Sequence, residues 1–241
     1  MEKTLSHLAK FKGLPTYQFE RRIDAFLLPY LETFFSEEFP EDGPFTFLYP
    51  EFPLRRYRME SNDEKANKLA DAADYLLFSK EKGVIYFVEL KTDIKSITEK
   101  QFTSYYQNCE AGWQSLIENY IFKSSGASWR KFAQGLKYLE TSDGLLQLKS
   151  KLDLDQYIDS DKGRGVTKYL KSLLPESNKV NHIYFVYLAP QGAQEKLETF
   201  VANNPQSQKY YRGLISLSEF AEKTNEHLKN LLIQVENDSN K

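Results

Sequence analysis

The sequence holds one cysteine, Cys109, among 241 residues. A lone cysteine excludes an intrachain disulfide and a cysteine-built zinc site. Histidine is almost as scarce. His7, His182 and His227 lie far apart, and nothing in their spacing suggests a metal site. No apolar run approaches the about 18 residues of a membrane span. The opening MEKTLSHLAKFKG has no stretch like a signal peptide. These absences predict a soluble protein with no membrane partner, and the cytoplasm as its location. Net charge is small as well: 32 basic residues stand against 34 acidic ones. That argues against a protein that coats nucleic acid by bulk charge. A nucleic-acid enzyme remains compatible, because a local patch suffices and a metal site needs carboxylates of its own. No internal repeat or low-complexity tract is present.

Aromatic residues are abundant, with 17 Phe and 16 Tyr, so much of the core is expected to be aromatic. The length suits a single domain spanning residues 1–241. Thr16 is a candidate N-cap. Beyond it, Phe19, Ile23, Phe26, Leu27, Tyr30, Leu31, Phe34 and Phe35 recur at helical spacing. Pro29 predicts a kink or a break inside that helix. EDGP at 41–44 is a turn, and PFTFLYPEFPLRRYR reads as a strand interrupted by Pro50 and Pro53. Residues 60–70 are polar and read as a loop or a surface turn.

The clearest strands are 74–79 and 84–91, joined by KEKG with Gly83 suited to positive φ. If Ser79 faces Val84, Asp74 faces Glu89, and directly paired residues share a face. Period two then adds Lys91 to that face, whereas a one-residue slip would separate the two carboxylates. The next helix has two candidate starts, the capping boxes Ser96/Glu99 and Thr98/Gln101. Its apolar stripe includes Phe102, Tyr106, Cys109 and Trp113, and a more polar face carries Gln101, Tyr105 and Asn108. Residues 122–180 read as a helical insertion, and 182–190 as a buried central strand. A helix over 193–204, a strand over 213–217, a closing helix over 218–236 and a disordered tail complete the chain. The fold class is α/β, with a mixed central sheet flanked by helices.

Asp74 and Glu89 can hold Mg²⁺, with Mn²⁺ able to substitute, and the Leu90 carbonyl can add a ligand at the strand end. Lys91 would place an ammonium over the same site, to orient water and offset charge on a phosphate. That chemistry is metal-dependent hydrolysis of a phosphodiester.

The order helix, strand, strand starting with Asp, strand ending in Glu-x-Lys, helix, strand resembles the PD-(D/E)XK nuclease superfamily. Many restriction endonucleases belong to that group. Asp74 matches its Asp, and Glu89-Leu90-Lys91 matches its Glu-x-Lys. The first-helix acid falls on Glu20, and Gln101 with Tyr105 matches the Gln-x-x-x-Tyr of RecB-type members. Ala73 stands where the family name has Pro, and the His that RecB-type members carry has no evident counterpart. The resemblance implies a restriction-endonuclease-like sheet and a Mg²⁺-dependent nuclease. Its catalytic residues would be Asp74, Glu89, Lys91 and Glu20, and Gln101 and Tyr105 would face the site and its substrate. The expected partner is nucleic acid, DNA before RNA. Oligomeric state is left open, a homodimer included.

Plainer readings stand beside these. Asp74, Glu89 and Lys91 can form a strand-end ion-pair network. Glu20 can be solvated, Gln101 can serve only the Thr98 cap, and Tyr105 can be packing. Asp71, read as lying in a loop, is an alternative to Asp74, and Asp93 can cap the turn. The clusters Arg55/Arg56/Arg58 and Lys162/Arg164/Lys168 can contact phosphates or be ordinary surface. A non-catalytic nucleic-acid- or protein-binding module on the same fold is the alternative function.

Overall fold

The structure, a computed structural model, describes residues 16–55, 70–116 and 180–239. Within these, the side chains of 16–22, 53, 55, 70, 71 and 114 are not described. Five strands form one mixed sheet in the order β1 (Thr46–Arg55), β2 (Ala70–Ser79), β3 (Val84–Leu90), β4 (His182–Ala189), β5 (Tyr211–Ser216). The first three run antiparallel to one another; β4 and β5 continue the sheet in parallel with β3. β3 is therefore central, and all seven of its residues are buried.

The hairpin register follows the sequence pattern. Ser79 pairs with Val84 and Tyr75 with Val88, so Asp74 and Glu89 are the next positions along the same ladder. Gly83 closes the turn at φ 67°, and its amide donates to the Ser79 carbonyl at 2.8 Å. β2 begins four residues earlier than the sequence suggests, which puts Asp71 in the strand opposite Leu54 rather than in a loop. β1 is continuous through Pro50 and Pro53. It is an edge strand, where missing amide donors are tolerated, and it carries a register shift between Phe47 and Tyr49.

Helix α1 (Thr16–Glu38) also runs unbroken through Pro29. Pro29 and Ala25, four residues before it, are both exposed, so the hydrogen bond lost to proline lies on the solvent side. The apolar stripe of α1, from Ile23 to Phe35, packs on the sheet face that carries Tyr75, Leu77, Tyr86 and Val88. Helices α4 (Leu217–Ala221) and α5 (Glu226–Ser239) share this face. They replace the single closing helix expected from the sequence. Asn225 interrupts it by accepting from the Leu228 amide at 3.1 Å, a side-chain cap that starts a new helix. α5 reaches Ser239, whose hydroxyl donates to the Thr92 carbonyl, so residues 236–239 are helical rather than a loose tail.

α2 (Glu99–Ser115) and α3 (Gln194–Asn203) cover the other face. Phe102, Tyr105, Cys109 and Trp113 of α2 bury against Phe87, Phe185 and Tyr187. Each such ring contributes about 1.5–3 kcal/mol through its removal from water. Cys109 is part of this packing, and burial pushes its thiol well above the ordinary range. Residues 122–179 of the expected insertion, Arg56, Arg58 and the cluster at 162–168 lie outside the described residues. Among the described residues, no helix is long and apolar enough to cross a membrane.

Candidate functional site

Two features bring polar groups to the end of a buried strand. The first is the hairpin register, which sets Asp74 beside the end of β3. Asp74 Oδ2 accepts from the Leu90 amide at 2.7 Å, one peptide away from Glu89. The second is the start of α2. Thr98 caps it by accepting from the Gln101 amide at 3.3 Å, which selects Thr98 over Ser96 as the start. Asp93 caps the preceding single turn, accepting from the Lys95 amide at 2.9 Å. The short connection returns the first turns of α2 to the strand from which it left.

Glu89 is 2% exposed, and three side chains meet it. Gln101 Nε2 donates to its Oε1 at 2.5 Å, so the glutamine side chain serves the carboxylate while its backbone serves the cap. Lys91 Nζ lies 2.5 Å from the same oxygen, with only 11% of the lysine side chain exposed. The Tyr105 hydroxyl donates to Oε2 and lies 3.2 Å from the Ala72 carbonyl, which ties β2, β3 and α2 together. Burial, then the charges of Glu89 and Asp74, push the Tyr105 phenol well above the ordinary range, so it stays a proton donor. Five residues singled out in the sequence, Asp74, Glu89, Lys91, Gln101 and Tyr105, therefore converge. Leu90 adds the amide that holds Asp74, while its side chain packs on the opposite face.

Glu20 stands apart. Its side chain lies outside those described, and the buried stripe of its helix packs on the face opposite α2. Asn108, on the polar face of α2, is fully buried and donates to the Ser104 carbonyl within its own helix.

Tyr187 escapes sequence reasoning. It pairs with Glu89 across β3 and β4, which puts both side chains on one face. Its hydroxyl is buried with no hydrogen-bond partner. Burial, then the charges of Glu89, Tyr211 and Asp74, raise its phenol well above the ordinary range. The residue type gives no signal, because β4 carries a second tyrosine, Tyr184, and a parallel register 98 positions away cannot be read from sequence.

Among the described residues, no group of three or more His, Cys, Asp and Glu side chains is arranged to hold a metal. What the strand ends offer is two carboxylates and the Leu90 carbonyl. This all-oxygen set fits Mg²⁺, which keeps several waters and takes only one or two carboxylates. The Lys91 ammonium pairs with Glu89 Oε1 at the same place.

No protein-family model, curated protein or solved structure matches this chain. The fold and site are therefore defined by their own geometry: an α/β chain whose five-stranded mixed sheet, flanked by helices, holds a carboxylate pair at the end of its central strand.

Proposed function

We propose that the chain is a Mg²⁺-dependent nuclease on a restriction-endonuclease-like fold, a phosphodiester hydrolase acting on nucleic acid, with DNA as the expected substrate and the cytoplasm as its location. The observation that carries this reading is the meeting of Gln101, Tyr105 and Lys91 on Glu89, with Asp74 fixed at the neighbouring amide. A surface ion pair needs no such shell, because exposed pairs contribute little and are not built with buried donors.

Asp74, Glu89 and the Leu90 carbonyl would hold the metal. When bound, it supplies Lewis-acid stabilisation of phosphate charge and activation of water. The chain's own residues do the rest. Tyr105 and Gln101 fix the Glu89 carboxylate in one orientation, as neighbours of a ligand commonly do. Lys91 rests on Glu89, and its ammonium would offset negative charge developing on a substrate phosphate held beside that carboxylate.

Both Glu89 oxygens already accept internal donors, and this favours a second reading, a non-catalytic binding module. One experiment separates the two. The full chain is incubated with supercoiled DNA, linear DNA and RNA in Mg²⁺ or Mn²⁺, beside Glu89→Ala and Lys91→Ala. Cleavage by the wild type and not by the variants supports the nuclease. Intact nucleic acid of every form with the wild type rejects it.

A further inference from the structure

Tyr187 is the unexplained group beside the site. Its ring is fixed on several sides: it stacks on Phe102 at 6.4 Å and 15°, and lies 6.2 Å from Tyr105 and 6.5 Å from Tyr211. It is fully buried, so its hydroxyl has no route to bulk water. A phenylalanine would keep these ring contacts and remove a buried polar atom that makes no hydrogen bond. Chemistry alone would thus favour phenylalanine at a position where only packing mattered.

The register supplies a reason for the hydroxyl. Tyr187 is the β4 residue paired with Glu89, so both project toward α2. The other side chains on Glu89 are committed: Gln101 and Lys91 to Oε1, Tyr105 to Oε2. Of these, Lys91 is the cation, and a metal held by Glu89 would repel it, since like charges repel in a site of low dielectric. Departure of Lys91 takes away one of the two partners of Oε1, and Tyr187 is the uncommitted neutral donor at the paired position. We propose that Tyr187 is a positioning residue of this site, its hydroxyl donating to the Glu89 carboxylate in the cation-bound state. This inference rests on the metal-dependent reading above and adds a residue to it.

The test is Mn²⁺ affinity of the full chain, read by paramagnetic resonance of free Mn²⁺, for wild type, Glu89→Ala, Tyr187→Phe and Ser79→Ala. Ser79 is the matched control: it too buries an unpartnered hydroxyl, at the turn end of the same hairpin. Thermal melts accompany each variant, so that binding is compared between folded proteins. The expected result is Mn²⁺ binding by wild type, its loss in Glu89→Ala, and affinity about 10-fold weaker in Tyr187→Phe, the usual cost of removing a partner of a metal ligand. Ser79→Ala should bind as wild type does. An unchanged affinity in Tyr187→Phe, or an equal loss in Ser79→Ala, overturns the role of Tyr187 and leaves the metal site standing. Absence of Mn²⁺ binding by the wild type overturns both.

Discussion

Two carboxylates are buried in the described part of this protein, and they are satisfied in different ways. Glu236, 6% exposed, accepts from two backbone amides: Gln191, ahead of α3, and Ser218, near the start of α4, the latter at 3.3 Å. Glu89, 2% exposed, accepts from the side chains of Lys91, Gln101 and Tyr105. Backbone amides at the starts of turns and helices are fixed by the fold and cannot leave without local unfolding. Side chains can rotate away, and one of these three is a cation. Glu236 is thus a structural anion that joins three elements. Glu89 has a shell that can be taken apart, which a ligand-exchanging site requires.

The contrast is sharpest in activity. Under the nuclease reading, Glu89→Ala should lower DNA cleavage at least about 100-fold, whereas Glu236→Ala should stay within about twofold of wild type, both measured as initial rates of plasmid nicking. Equal losses in the two variants would remove the distinction. Stability should rank in the opposite order. Glu236→Ala strands two amides and should cost about 2–3 kcal/mol in urea unfolding. Glu89→Gln should cost less than about 1 kcal/mol, because Tyr105 keeps an acceptor and Lys91, already 11% exposed, can turn to water. A smaller effect is expected at the helix that delivers two of the donors: Thr98→Ala should cost about 1 kcal/mol through its lost cap, seen as a lower Tm.

A last prediction concerns the two buried tyrosines beside Glu89. Tyr105 and Tyr187 both have phenol pKa values raised above the ordinary 10.0. A raised folded-state value means that the folded form holds its proton more tightly than the unfolded chain. Their contribution to stability is therefore complete below pH 10.0 and declines as pH rises above it, because the unfolded tyrosines ionise first. Tyrosinate absorbance should show these two phenols ionising only with unfolding, not as exposed tyrosines do.

Much of the site was legible because it is local. Alternating residues around a four-residue turn fix the hairpin register, so Asp74 beside Glu89 follows from residues 74–89 alone. The sequence offers two caps for the start of α2, Ser96 and Thr98. Only the three-dimensional arrangement selects Thr98 and shows that Gln101 serves both cap and carboxylate. Proline breaks neither α1 at Pro29 nor β1, because its cost depends on whether the lost hydrogen bond faces solvent or a sheet edge. Apolar periodicity makes 218–236 look like one closing helix, but α4 stops at Ala221 and the Asn225 side chain caps the start of a second helix.

By itself, then, the sequence determined the α/β class, the register of the central hairpin and the identity of five polar residues around its open end. All of these depend on neighbours within a few turns of chain. Tertiary structure alone decided which sheet face each helix covers, and so set the stripe of α1 on the side opposite α2. It also decided that Tyr187 stands beside Glu89, because a parallel pair is made by a crossover rather than a turn, and nothing local encodes its register.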